Sequence, residues 1–339
     1  MKSFPLKKLL KAALMFMVVA LLFFSSWFLW EYHRPINTMS PNAVFEIKKG
    51  SPASSIAQQL KKENFIKNKW PFLLAYRMFF SKENLIAGEY EFNPPLSVRD
   101  VLKKIIKGEI KLHPLTIPEG LNIWETADLL SSKYGLDKKK LLYHGQNTQL
   151  ISTLDADAQN LEGYLFPETY HIPKGTSEKK IVENMVSQFK KTFSPHWKER
   201  TQEMEMDIRE VVTLASLIEE ETSVPEEKSL VSSVFHNRLN LGMKLDCDPT
   251  IIYALKKKGE YRGRLRNKDL KLDSPYNTYL YNGLPPSPIS NPGKESLKAA
   301  LFPSKTDYLY FVSKNDGTHK FSSTFKEHQK AVIKYQINK

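Results

Sequence analysis

The sequence predicts an α+β protein in three parts: one N-terminal membrane-spanning helix, a small α/β module and a larger mixed α+β domain. Three observations carry this reading. Residues 12–30 form a 19-residue run without a charge. Between 44 and 106, short strand-like alternations are interleaved with segments whose apolar residues recur at helical spacing. Beyond about Thr116, an apolar helical stretch at 211–218 runs straight into Glu219-Glu220-Glu221, and loops dense in Pro, Asn and Tyr follow. The expected boundaries are 1–33 for a cytoplasmic tail and anchor, 34–43 for a linker, 44–113 for the module and 114–339 for the main domain.

The anchor follows from length. At a rise of ~1.5 Å per residue, 12–30 crosses most of a hydrocarbon core of ~30 Å. Lys2, Lys7, Lys8 and Lys11 precede it, so the positive-inside rule keeps the N-terminus in the cytoplasm and sends everything after His33 outside. A cleaved signal peptide fits less well. Its apolar core is shorter (~7–15 residues), and this run ends in Trp27, Phe28 and Trp30 rather than a small-x-small site. The expected location is the inner membrane, single-pass, with the C-terminal domain in the periplasm.

The linker holds Pro35 and Pro41. After it, Val44 to Ile47 alternates as a strand, and Gly50-Ser51-Pro52 makes a turn in which Ser51 can cap a helix with Pro52 at its first position. Ile56, Ala57 and Leu60 mark that helix, and 70–80 reads as a second one. Glu89 to Phe92 alternates again, and Ser97 caps a helix carrying Val98, Val101, Leu102 and Ile105. A loose echo follows: with Gly50 laid on Gly120, Thr126-Ala127 and Leu130 match Ile56-Ala57 and Leu60. Both stretches read as strand, tight turn, helix. The module resembles the LysM motif, which implies binding to glycans containing N-acetylglucosamine; a plain spacer is the other reading.

The net charge of +13 suits a polyanion: nucleic acid, an anionic membrane surface, or peptidoglycan with its peptide carboxylates. A solvated basic surface accounts for it equally well. The basic patches lack interleaved aromatics, so no nucleic-acid partner is expected. The lone Cys247 cannot form an internal disulfide and reads as a partly buried filler. There is no Gly-x-Ser-x-Gly, phosphate loop or His-Glu-x-x-His, and the eight histidines are dispersed; neither metal nor cofactor is expected. His236 and His319 read as surface or hydrogen-bonded residues.

The chemistry concentrates at the end of the apolar helix. Successive helical residues differ by ~100°, so Glu219 and Glu221 point about 200° apart and at most one faces a cleft. Spacing leaves open which one. A carboxyl at the C-terminal end of a buried helix resists ionisation through desolvation and the helix dipole, as a glycosidic general acid requires. Three solvated glutamates closing a core helix are the plain alternative. Downstream, Val231, Val234, Phe235 and Leu239 form a second amphipathic helix beside Asn237 and Arg238. Asp248-Pro249 favours a turn. The stretches SPYNTY at 274–279 and GLPPSPISNP at 283–292 read as stiff loops offering stacking and hydrogen bonds to a sugar.

Four ordered motifs then carry a resemblance over nearly the whole chain: LEGYLFPETY at 161–170, ASLIEEET at 215–222, the segment 234–253, and 274–292. Together they closely resemble the endolytic murein transglycosylases. The resemblance implies a lytic transglycosylase, a carbon-oxygen lyase that cleaves the MurNAc-GlcNAc β-1,4 bond of nascent peptidoglycan strands and leaves a 1,6-anhydro-MurNAc end. It implies that the first glutamate of the motif, Glu219, is the catalytic acid and base. Glu221, Asn237, Arg238, Asp248, Tyr276 and Asn277 become candidates for orienting the glycan or supporting Glu219. Asp246 departs from the Gln usual in the family at that place, which bears on any substrate contact there. The implied partners are glycan strands, the membrane and wall synthases. Two competing readings remain: a hydrolase using Asp248 or Glu221, and a non-catalytic peptidoglycan-binding scaffold that recruits synthases.

Overall fold

A computed structural model describes residues 6–37 and 40–337. These divide into two compact units. The described residues through Pro114, with His171–Gly175, form the first; Leu115–Tyr170 and the chain from Thr176 form the second. Among the described residues the architecture is α+β, with many helices and three two-stranded sheets.

The first unit begins with the long helix α1 (Leu6–His33). Then come β1 (Ala43–Ile47), α2 (Ala53–Lys62), α3 (Lys69–Phe79), β2 (Gly88–Phe92) and α4 (Val98–Lys107). Strands β1 and β2 pair antiparallel, with Phe45 opposite Tyr90 and Ala43 opposite Phe92. Their inward residues meet Leu60, Phe72, Leu102 and Ile105 in one core. The Tyr90 hydroxyl is satisfied inside it by donation to the Ile86 and Ile105 carbonyls. Ser97 caps α4 as expected, in a reciprocal box with Asp100. Ser51 does not cap α2: Pro52 is itself the N-cap residue, with no side-chain bond to the helix. Its extended backbone (ψ 152°) starts the helix one residue later than the sequence reading had it.

The C-terminal end of α1 belongs to this core. Phe28, Tyr32 and Ile36 are buried with the module's own apolar residues, and Ile36 and Leu96 exchange backbone hydrogen bonds of 2.8 and 3.2 Å. The rest of α1 exposes its Leu, Met, Phe and Val side chains, as a lipid-facing helix does.

Strand β3 (Leu112–Thr116) pairs with β4 (Thr169–Pro173), and the division between the units falls within both strands. In the second unit, Gly120 adopts φ +81°, the same value as Gly50 in the first. The echo between the two segments is therefore one of local geometry: strand, left-handed glycine, helix. Helices α5 (Ile123–Tyr134), α6 (Lys138–His144), α7 (Glu178–Thr192) and α8 (Pro195–Glu203) precede the central α9 (Ile208–Glu221), with α6 packed between α5 and α7. Next come α10 (Pro225–Asn240), α11 (Asp248–Lys258) and α12 (Lys294–Leu301), then the hairpin β5 (Tyr310–Ser313) and β6 (His319–Ser322), and α13 (Phe325–Val332). Every residue of α9 from 211 to 218 is buried, and the helix packs on α8, α10, α11 and α12. An all-round apolar helix can be stable only in such a setting. Asp248-Pro249 is no turn: the pair opens α11, with Cys247 as N-cap. Proline lacks only a hydrogen that the first helical turn would leave unpaired anyway.

Candidate active site

The last turn of α9 ends in a cleft of about 710 Å³, lined by Glu119, Gly120, Leu121 and Glu125, by 219–223, and by Lys228 and Lys256. Glu219, Glu220 and Glu221 all border it, against the expectation that at most one would. The cleft wraps the end of the helix rather than running along one side. At Thr222 the backbone turns extended (φ −146°), so the terminal turn is open on several sides.

Glu219 sits on the floor, its side chain 7% exposed. One oxygen accepts from Lys228 Nζ at 2.9 Å and the other from the Gly293 N–H, also 2.9 Å. Gly293 is the N-cap of α12, so that donor is one of the amides a helix start leaves free. Lys228 comes from α10 and is 5% exposed; its ammonium also lies 3.7 Å from Glu119 Oε2. A buried lysine between two carboxylates is held by charge on both sides. Burial, then the nearby Glu219 charge, raises the Glu119 carboxyl above its ordinary range. The backbone is bare here: a Cβ on Gly293 would fall 1.8 Å from Glu119 Oε1 and make that half-exposed carboxylate swing away, and Gly120 holds a left-handed φ of +81°.

Glu221 also borders a second cleft of about 330 Å³, whose other walls include Arg238, Asp248, Tyr279, Tyr310 and Phe325. Burial pushes the Glu221 carboxyl up to about 7, against a hydrogen bond with Cys247 that draws it down. Asp248 accepts from the Tyr279 hydroxyl at 2.7 Å. Arg238 donates to the carbonyls of Leu309, Lys244 and Leu245 and pairs with Asp246 at 3.2 Å; it shapes this cleft's wall. Asp246 adopts φ +49°, which places its carboxylate at the guanidinium.

The other candidates are spent within the protein. Asn237 donates to the Thr306 and Tyr308 carbonyls. Asn277 is fully buried and donates to those of Leu270 and Leu272. Tyr276 is buried, its hydroxyl 2.6 Å from Ser287 Oγ. None of the three lines either cleft. Their side chains tie down the loops that border the site.

Asn291 does most to assemble those loops. Its side-chain oxygen accepts from the Gly163 and Leu165 N–H groups, and its amide donates to the Leu121 carbonyl at 2.7 Å. Its backbone also bonds Gly120 and Leu121. From α9, the Ser216 hydroxyl accepts the Ile289 N–H at 3.0 Å. The proline-rich loop, the 161–170 motif and the turn at Gly120 are thereby joined around the C-terminal end of one helix. Gly163 permits this closeness: a Cβ there would lie 2.5 Å from Pro288 and 2.8 Å from Val212.

Glu119, Lys228, Gly293 and Asn291 were not singled out by the sequence reading. For Lys228 a signal existed. It lies three and seven residues before Val231 and Phe235, on the apolar face of α10, where a lysine is rarely buried without a partner. His236 and His319 are hydrogen-bonded, to the Ala300 carbonyl and to Glu227. Cys247 is a free, fully buried thiol that burial pushes up.

Glu162 gives the unit a pH dependence. It is buried, accepts from the Ile123 N–H and the Tyr253 hydroxyl, and burial raises its carboxyl to about 8. The folded state thus holds a proton that the unfolded state releases above its ordinary carboxyl range. Stability from this group is full below that range and is lost as pH rises toward about 8. Urea midpoints should fall over this window, and Glu162→Gln should flatten the fall. An unchanged slope in the variant would assign the dependence elsewhere.

Fold and site together define a class: an α+β protein whose core helix delivers carboxylates to the floor of an open polar cleft, beside a second cleft partly walled by aromatics. The chain belongs to the YceG-like family, which matches residues 45–334. A relative from Bacillus subtilis (strain 168), named endolytic murein transglycosylase, is 34% identical over 322 residues, covering 90% of this chain and 88% of that protein. One of the same name from Streptococcus pneumoniae serotype 2 is 30% identical over 335 residues, with 90% of this chain spanning 60% of that longer protein. The crystal structure of a YceG-like protein from Listeria monocytogenes, 34% identical, superposes with a TM-score of 0.58 over 85% of this chain and 98% of that one.

Proposed function

We propose that this chain is a lytic transglycosylase that cuts peptidoglycan strands internally, held by α1 in the cytoplasmic membrane with its main domain on the periplasmic side. The observation that carries the reading is Glu219: a side chain 7% exposed, at the end of a core helix, on the floor of an open cleft of about 710 Å³. The names of the relatives that cover most of this chain point the same way.

Glu219 protonates the oxygen leaving C1 of N-acetylmuramic acid, and positive charge develops at that carbon as in other glycosidases. Ionised, Glu219 then takes the proton from the sugar's own C6 hydroxyl, whose oxygen closes onto C1. A nucleophile within the same sugar needs no activated water, so proximity stands in for a second carboxylate. Lys228 has Glu119 as its second partner, and a small shift of the ammonium toward it frees a Glu219 oxygen for the proton. Glu221, Arg238 and Asp248 border the continuation of the glycan path in the second cleft. Asn237, Tyr276 and Asn277 support the site by fixing its loops.

Mass spectrometry of fragments cut from purified glycan strands tests the product. The expected reducing ends lack one water relative to ordinary muramic acid. Fragments carrying that water would instead make this a hydrolase, with Glu221 or Asp248 serving as base.

A further inference from the structure

Helix α3 carries an exposed apolar face that the fold does not use. Trp70 and Met78 are each more than half exposed, and Leu73 and Leu74 are only partly covered. Trp70 and Met78 are eight residues apart, about 80° around the helix, with Leu74 between them. A monomer in water does not leave so dense a cluster bare without reason. Charge marks the same segment: Lys67, Lys69, Arg77 and Lys82 fall between Asn64 and Lys82, where there is no Asp or Glu.

The position of α3 says what covers it. The helix packs against α1, and both share the core that buries Phe28. Phe28 and its partly buried neighbour Trp27 lie inside the charge-free run that ends at Trp30. A helix packed against those last apolar turns lies at the depth of the lipid headgroups, not far above them. Aromatic and apolar side chains flanked by lysine and arginine are the composition of a segment lying in that zone, with the basic groups meeting anionic phosphates.

We propose that α3 lies in the membrane interface, inserting Trp70 and Met78 into the leaflet at the C-terminal end of α1, with Lys69, Arg77 and Lys82 on anionic headgroups. The proposal rests on α1 being a membrane anchor. The first unit is then held to the bilayer by a span and a footing together, rather than swinging on a tether.

The test uses the full chain reconstituted in phosphatidylcholine vesicles containing phosphatidylglycerol. Nitroxides are placed singly by Met78→Cys, by Leu14→Cys within the span and by Lys62→Cys on exposed α2; the native Cys247 is buried. Relaxation by oxygen, which concentrates in lipid, is compared with relaxation by a water-soluble nickel chelate. At Met78 oxygen should be the stronger relaxer, as at Leu14, while the chelate should dominate at Lys62. A lipid-like Leu14 with a water-like Met78 overturns the proposal and leaves the anchor standing. A water-like Leu14 overturns both. A Met78 label shielded from both relaxers overturns it in favour of a protein covering this face.

Discussion

Glu219→Gln should abolish strand cleavage, lowering the rate by about 10³-fold or more, while the protein stays folded. General acid–base catalysis alone contributes ~10²–10⁴-fold, and here one group serves both directions of proton transfer. The substitution preserves shape. A glutamine carbonyl still accepts the Gly293 N–H, and Lys228 retains Glu119 as a partner. The far-UV spectrum should therefore match the wild type, with a melting temperature lowered by a few degrees. Residual cleavage above a tenth of wild type would remove Glu219 from the chemistry. Loss of activity with loss of fold would leave the role undecided, and Glu219→Asp, which keeps the charge but withdraws it by one methylene, separates the two.

The second large effect is expected on stability. Lys228→Met removes the ammonium from between Glu219 and Glu119 and leaves a buried carboxylate with only the Gly293 N–H as donor. Breaking a buried ion pair from one side costs ~3–5 kcal/mol, so the urea midpoint should fall sharply. Combining Lys228→Met with Glu219→Gln removes the stranded charge as well. The double variant should be more stable than the sum of the single losses implies, by about 1–3 kcal/mol. Strict additivity would show that the two side chains do not act as a pair. Cleavage by Lys228→Met should also fall, because Glu219 loses the cation that fixes its orientation.

The parts of this protein that local chemistry decides could be read from residues alone. The apolar turns of α9 had nowhere to go but a core, and Ser97 just before the apolar face of α4 announced a cap. Where two local signals compete, the reading slips. Ser51 is a better capping residue than proline, yet the turn at Gly50 sets the helix one position on. Asp248-Pro249 suits a turn and a helix start equally, and packing on α9 chose the helix. The site was half visible. The glutamates that close a buried helix are marked by their place, and the family motif alone picks Glu219 from among them, whereas Glu119 and Gly293 acquire meaning only when segments far apart in sequence meet. Asn237 on α10 and Asn277 in a stiff loop illustrate the reverse: polar residues near the motif suggest a ligand, but backbone carbonyls take up their amides.

A single primary amide, that of Asn291, reaches back 128, 126 and 170 positions to Gly163, Leu165 and Leu121. The segments at 121, 163 and 165 therefore cannot be joined around the cleft until residue 291 has been made, so a chain stopped before it lacks the amide that ties them together. For a protein proposed to sever the layer that keeps its cell from bursting, this timing is a safeguard written into chain order.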